Sequence, residues 1–538
     1  MNIKHFVKGI FKQKPIQKFT LAAFMIGGLS VVSSFLGLLR DRILASSFGA
    51  SDTLDIYYAA FRLPDLVFNI LIFGALSSSF VPIFSEYVAN KKKEANEVAN
   101  SILNLMLFFI ISISVVGIIA APYLLKIIVP GFSPEKLSIT VGLTRIMFLS
   151  PIILSISGIL SGILTTFKKF FMYSLAPVMY NAGIISGIYL FTPRWGIYGL
   201  ALAVVFGALL HMLIQLPAAY ACGFRLAFIS RPQTRILKRI SKLMLPRSLS
   251  LVVSQINLLL VTIIGSTLNS GSLAIFNLAN NLSGIPLTIF GAPFAVAVFP
   301  DLAFAYNQKN YKDFARIFSL ALTRIAFFVI PLTVAILVLR AQLVRLALGA
   351  GKFDWEATTT TLQVLGYLSL SLFFQSIIPL VSRAFFALHD TKTPFFSGLI
   401  ASVINIGLAY YLGRTMGISG VALAFSVSQI ITLVLMLVLL HVRLGALNDN
   451  LIISSITKIS ISTVAAGAVL QYIKYLVGTE FGTDTFLKVL AQTSLSFTGG
   501  AIIYICVAWY LGVREVSIAR RMIKRILERW IFRTSETS

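Results

Sequence analysis

About fourteen apolar stretches, most of them about twenty residues long, follow one another along this chain with short polar loops between them. Six lie near 19–39, 56–82, 101–123, 143–166, 171–191 and 196–221, and six more near 248–268, 272–299, 317–339, 360–382, 395–412 and 418–440. The last two run near 452–476 and 486–511. Twenty residues of helix rise ~30 Å, the thickness of a bilayer's hydrocarbon core. Nothing in that core hydrogen-bonds an exposed backbone, so each stretch must wind into a helix that satisfies its own N–H and C=O groups. Composition points the same way: 57% of the 538 residues are hydrophobic and 12% charged, against roughly 25% charged in a soluble domain. A single water-soluble core is excluded.

Lys and Arg number 45 against 19 Asp and Glu, a net charge of +26. In a soluble chain that excess would suggest nucleic acid, but no aromatic-interleaved basic groove or zinc-finger spacing accompanies it. The basic residues collect instead in short loops, as they do on the cytoplasmic side of membrane proteins. They fall in the N-terminal tail, at Lys91–Lys93, Lys168-Lys169, Arg225 to Arg247, Lys309/Lys312/Arg316, Arg383/Lys392, Arg443 and from Arg514 onward. With an even number of spans all of these share one side, and both termini are expected inside. Arg340, Arg345 and Lys352 fall on the other side. Residues 1–18, with five lysines, read as a retained cytoplasmic tail. Residues 513–538 have the spacing of a basic amphipathic helix lying on the membrane. The 223–247 stretch is a basic cytoplasmic linker, either an interfacial helix on anionic lipid or a connector between two halves. Cys222 and Cys506 are too few for a disulfide framework, and His5, His211, His389 and His441 show no metal-ligand spacing. No metal or other cofactor is expected.

The chain resembles itself at a distance of about 220 residues. Trp195-Gly196-Ile197-Tyr198-Gly199-Leu200-Ala201 opens the sixth stretch, and Met416-Gly417-Ile418-Ser419-Gly420-Val421-Ala422 the twelfth, with Asn181 and Asn405 upstream. Phe73-Gly74-Ala75 with Val81-Pro82 matches Phe290-Gly291-Ala292 with Phe299-Pro300. Small residues at such places let helices approach closely. Both matches shift by six spans, an even number, so the halves are parallel repeats. The expected fold is an all-α polytopic membrane protein of about fourteen transmembrane helices. Its lobes would be residues 19–222 and 248–441, with 451–512 added as two further helices. Two parallel lobes around a cavity suit transport by alternating access. No nucleotide loop, metal cluster or nucleophile–base pair suggests an enzyme.

Charges inside apolar spans cost roughly 2.5–3.5 kcal/mol each on insertion scales, so they mark function by default. The richest group is Arg40, Asp41, Arg42, Asp55, Arg62 and Asp65. Arg40, Asp41 and Arg42 either end the first helix at the outer interface or line a cavity, and Asp55 either caps the next helix or faces that cavity. Arg62 precedes Leu63-Pro64, where the proline is expected to break the helix and free polar backbone. Arg145 and Arg324 enter corresponding spans of the two halves, and Gln255, Asn257, Asn277, Asn280 and Asn281 are interhelical glue or cavity lining. Guanidinium groups bind phosphate oxygens bidentately, so an arginine-lined cavity suits an anionic headgroup better than a hydrophobic cation.

The run Phe35-Leu36-Gly37-Leu38-Leu39-Arg40-Asp41, then Phe48-Gly49-Ala50, Asp55 and Phe61-Arg62-Leu63-Pro64, resembles the first two helices of the MurJ (MviN) lipid II flippases. Gly74-Ala75, Phe80-Val81-Pro82-Ile83-Phe84-Ser85-Glu86-Tyr87, Pro130-Gly131-Phe132, Gly351-Lys352-Phe353 and Asp390-Thr391-Lys392-Thr393-Pro394 extend the resemblance across the chain. That family lies within the multidrug, oligosaccharidyl-lipid and polysaccharide exporters. The resemblance implies a bacterial cytoplasmic-membrane protein that moves undecaprenyl-pyrophosphate-linked peptidoglycan precursor to the outer leaflet. It further implies a lipid-tail groove on the last two helices, and membrane lipids and peptidoglycan synthases as partners. Arg40 matches the family's essential first-helix arginine and Asp55 its second-helix acid. Arg40, Arg62, Asp55, Asp41 and Asn281 are therefore the expected cavity residues. The family's further arginines, late in the second helix and in the eighth, align with Phe68 or Asn69 and with Asn281, and Phe73 replaces a glutamate. Three readings follow: Arg40 and Arg62 suffice for lipid II, the cargo is another polyprenyl-linked glycan, or the chain is a scaffold that no longer transports.

Overall fold

The computed structural model describes residues 15–70, 80–90, 94–227, 255–445 and 447–516. These fall into two compact units. The first holds the described residues up to Ala274 together with Gly351–Phe353, and the second holds Ile275–Ala350 and the described residues from Asp354 on. In the first are α1 (Pro15–Phe48), α2 (Asp52–Phe68), α3 (Val81–Asn90), α4 (Ala95–Ile128), α5 (Pro134–Met147), α6 (Leu149–Thr166), α7 (Phe170–Trp195), α8 (Ile197–Leu213), α9 (Leu216–Ala221) and α10 (Gln255–Ser266). Helix α11 (Ser272–Ser283) starts in the first unit and ends in the second. The second unit continues with α12 (Ala292–Asn307), α13 (Tyr311–Ala347), α14 (Trp355–Ser369), α15 (Leu372–Ala387), α16 (Lys392–Met416), α17 (Ile418–Leu444), α18 (Asp449–Phe481) and α19 (Phe486–Tyr510).

The chain is an all-helical, multi-pass membrane protein. Ten helical spans among the described residues are long and apolar enough to cross a bilayer, and the pair α14–α15, bent by 42°, makes an eleventh. Helix α2, at 17 residues, and α11, at 12, fall short of that length within the described residues. Most of the basic linker, the N-terminal tail up to residue 14, the end of the C-terminal tail and the Phe73-Gly74-Ala75 half of the second repeat match lie outside the described residues.

The first helix does not end at its charges. α1 runs on to Phe48, which sets Arg40 ~12 Å inside its end. Nor does Pro64 break α2, which continues to Phe68. A proline lacks the N–H that would bond the carbonyl four residues earlier, and in lipid that carbonyl needs another donor. For Pro64 the freed carbonyl is that of Ala60, and it accepts from Thr144 Oγ1 at 3.3 Å. For Pro122 it is Ile118, which accepts from Arg145 Nε at 3.2 Å. For Pro331 it is Phe327, which accepts from Tyr504 Oη at 2.7 Å. In each case a side chain from a neighbouring helix supplies the donor that the proline removed. Arg145 therefore has a structural role.

The repeat is visible in the backbone of each unit taken by itself. Gly196, before α8, has φ 54° and ψ −133°, and Gly417, before α17, has φ 60° and ψ −143°. Three residues on, a Cβ at Gly199 would strike the backbone of Phe191 and Thr192, and one at Gly420 the backbone of Leu412. The glycines let α7 lie against α8 and α16 against α17.

Candidate functional site

Arg40 lies eight residues before the end of α1 and Arg62 ten after the start of α2. At 1.5 Å per residue both are ~12–15 Å from that end, well inside their helices. Asp41 is buried and takes two hydrogen bonds at Oδ1, from Arg40 Nε at 3.0 Å and Nη2 at 2.8 Å. Arg40 Nη1 donates to Asn181 Oδ1 at 3.3 Å, and Asn181 Nδ2 donates to Ser33 and to the Pro177 carbonyl. The guanidinium plane is thus fixed from two helices, with two of its five N–H donors uncommitted. Arg62 Nε donates to Thr262 Oγ1 at 2.7 Å, tying α2 to α10. Tyr58 and Asp65 each lie within the field of both guanidinium groups. The structure therefore brings Arg40, Asp41 and Arg62 together in one polar neighbourhood of the first unit.

Asp55 lies elsewhere, seven residues before Arg62 and so ~10 Å nearer the helix end. It is buried, and its Oδ2 accepts from the Gly271 amide at 2.8 Å and its Oδ1 from the Ala274 amide at 2.9 Å. A carboxylate on the first free N–H groups of α11 is where the helix dipole favours negative charge. Its cation is Lys136, 3.4 Å away, which also holds Asp52 at 2.6 Å and sits 4.0 Å over the Phe132 ring. Ser270 Oγ donates to Asp52 at 2.7 Å. Gly271, at φ 84°, admits no side chain because a Cβ would collide with the Ala50 carbonyl. Beside it the Lys352 amide donates to the Ser46 carbonyl at 2.9 Å, and the Gly131 amide to Ser266 Oγ at 3.4 Å. The motifs Phe48-Gly49-Ala50, Pro130-Gly131-Phe132 and Gly351-Lys352-Phe353 thus meet as interlocked turns at one end of the first unit. Of the two places open to Asp55, capping the next helix or facing the cavity, the structure shows neither as read: the carboxylate holds the start of α11 through two amides and takes Lys136 as its cation.

Asn281 is exposed on α11 within the second unit. Asn277 and Asn257 are buried. Phe68 packs against the first unit's core, and Asn69 Nδ2 bonds back to the Asp65 carbonyl at 2.9 Å. Phe73 lies outside the described residues. Lys136, Thr262, Ser270 and the role of Asn181 were not singled out as site residues from sequence: three are neutral, and Lys136 looks like an ordinary interfacial lysine. Among the described residues no three His, Cys, Asp or Glu side chains converge as metal ligands.

A family model described as "Lipid II flippase MurJ" matches residues 44–492. A "Probable lipid II flippase MurJ" of Thermotoga maritima is 29% identical over 503 residues, covering 93% of this chain and 98% of that one. The solved structure "Lipid II flippase MurJ, inward closed conformation" superposes with a TM-score of 0.72 at 26% identity, over 90% of this chain and 98% of that one. An inward-facing multidrug resistance MATE family transporter of the MOP superfamily superposes at 0.66 with 19% identity, over 78% and 96%, and shares the fold.

Proposed function

Since the chain belongs to the lipid II flippase MurJ family, we propose that it carries lipid II from the inner to the outer leaflet of the cytoplasmic membrane by alternating access. The observation that carries this reading is the guanidinium pair Arg40 and Arg62, held inside α1 and α2 with Asp41, Asn181 and Thr262 fixing their planes. An arginine held edge-on by a carboxylate keeps donors for a second, bidentate acceptor, and a diphosphate offers such oxygens. Arg40 and Arg62 bind the diphosphate. Asp41 keeps the Arg40 charge tolerable while no cargo is bound. The interlocked turns around Asp55 form the outer closure, and release outward requires Asp55 to give up its bonds to Gly271 and Ala274.

The basic loops support a topology with both termini in the cytoplasm. Helices α18 and α19 carry the polyprenyl tail on exposed apolar side chains such as Val464 and Ile502. Membrane lipids surround the whole, and peptidoglycan synthases, which consume the flipped precursor, are the protein partners that come with this reading. Catalysis has no part in it.

The test is complementation of a Gram-negative cell depleted of its own lipid II flippase, read by whether a periplasmic toxin can cleave lipid II. Growth and cleavage are expected to return with the wild-type chain and to fail with Arg40→Ala. Each lost charged hydrogen bond removes about 1.5–3 kcal/mol, or roughly ten- to a hundredfold in affinity. No restoration despite membrane insertion would shift the cargo to another polyprenyl-linked glycan or leave a scaffold. Restoration by Arg40→Ala would mean that transport does not depend on Arg40 and would overturn its role at the diphosphate.

A further inference from the structure

A cavity of ≈ 330 Å³ lies wholly inside the first unit, lined by Asp65 of α2 and Asn69 just after it, Ser150 and Pro151 of α6, Tyr180 of α7 and His211 of α8. Among the described residues the Asp65 carboxylate has no hydrogen bond and no ion pair; its backbone carbonyl alone is engaged, by Asn69. An unpartnered carboxylate within a span is costly when ionised, and neutralisation by a proton removes that cost. His211 is held differently. Its Nδ1 sits 2.6 Å from Ser157 Oγ, Gln215 Nε2 donates to the same hydroxyl at 2.7 Å, and Ser161 Oγ donates to Gln215 Oε1 at 2.8 Å. Its ring meets that of Tyr180 edge-on at 6.3 Å.

The groups around Asp65 can be named element by element. Its own helix brings Arg62 and Tyr57, α1 brings Arg40, α7 brings Tyr180 and α8 brings His211. Helices α5 and α6 contribute Met147, Ser150, Pro151 and Leu154, none of which titrates. Among the described residues, the formal positive charges in the field of Asp65 are thus the two guanidinium groups assigned above to the diphosphate.

We propose that Asp65 takes up and releases a proton through this cavity, and that its charge competes with an anionic cargo for Arg62 and Arg40. This rests on the reading that those arginines bind a diphosphate. Ionised Asp65 lies in the arginines' field and opposes the incoming anion. A proton on its carboxyl oxygen removes that opposition. Binding cargo therefore draws a proton from water, and losing that proton favours release, so cargo and proton bind together and leave together in one unit. By linkage, cargo affinity falls as pH rises, by up to about tenfold per pH unit for one proton.

Two measurements on the full chain decide it. In proteoliposomes without cargo, a hydrophobic carbodiimide is expected to modify Asp65, because such reagents take protonated carboxyls in apolar surroundings. Labelling should fall as pH rises from 5 to 9 and vanish in Asp65→Asn. In detergent, lipid II affinity should drop more than about tenfold between pH 6 and 8 in the wild type and in Asp65→Glu. It should stay within about twofold in Asp65→Asn, whose melting temperature serves as the folding control. Absent or pH-independent labelling overturns the proposal. So does a pH slope that survives in Asp65→Asn, or one abolished by His211→Gln instead. A slope that follows sodium at fixed pH replaces the proton with a metal cation. If lipid II fails to bind at every pH, the cargo reading fails, and the labelling still decides whether Asp65 carries the proton.

Discussion

Arg40 and Asp55 stand fifteen positions apart in the sequence, yet their surroundings give them different work. Arg40 is a donor held in waiting by Asp41 and Asn181, whereas Asp55 is an acceptor spent on Lys136 and the start of α11. Asp55→Ala should therefore destabilise the protein by about 1–2 kcal/mol, through the lost helix cap. Asp52→Ala, whose carboxylate is 60% exposed, should cost about 0.5 kcal/mol or less. Thermal unfolding in detergent separates the two, and equal losses would argue against a capping role. Sequence exposed both residues because charge is conspicuous in an apolar run. It could not supply their partners. Lys136, Asn181 and Gly271 lie 81 to 216 residues away along the chain, and none of the three stands out where it sits.

Helix boundaries were legible where an apolar run ends in a turn, and hidden where charge continues the helix. That is why α1 reaches Phe48 although its apolar pattern stops at Leu39. The prolines were legible as residues, but their compensation was not, since it depends on which donor a neighbouring helix carries to the freed carbonyl. Thr144→Val should orphan the Ala60 carbonyl and cost about 1–2 kcal/mol. In a Pro64→Ala background the backbone N–H returns, and the same substitution should become nearly neutral. A double-mutant cycle by thermal unfolding checks the coupling, and additive losses would refute it. The Asp390 motif before α16 has a comparable local logic. Burial pushes the Asp390 carboxyl up, but the Thr393 hydroxyl and amide, Arg443 and the Lys392 amide outweigh it and hold the group below the usual carboxylate range. A depressed native value means stabilisation that is present at neutral pH and lost as pH falls below the unfolded value of about 4. Hydrogen-exchange protection of the Lys392 and Thr393 amides should drop between pH 6 and 3 in the wild type and be low throughout in Asp390→Ala.

The two halves of the chain share a register of 221 residues at more than the glycine turns. Lys168 and His389, 221 apart, both adopt φ 57° just after a helix. Each is followed by the same backbone bonds: Lys168 and Lys169 donate to Thr165 and Leu164, and His389 and Asp390 to Phe386 and Phe385. These are helix ends of the kind that normally use glycine, so a larger residue there is strained by about 1 kcal/mol. Glycine at either place should relieve part of that strain and add about 0.4–1 kcal/mol, less whatever backbone entropy glycine loses on folding. Gly196 and Gly417 adopt a conformation that side chains avoid more strongly, so alanine should destabilise both by about 1–3 kcal/mol. A duplicated unit predicts more than the sign of each effect: the responses should match in pairs, Lys168→Gly with His389→Gly and Gly196→Ala with Gly417→Ala. Four single variants followed by thermal unfolding in one detergent test this directly. Mismatched pairs would mean that the register is a coincidence of turn chemistry. Matched pairs would mean that one ancestral backbone still governs both halves, while the chemistry has concentrated in the half that kept Arg40, Arg62 and Asp65.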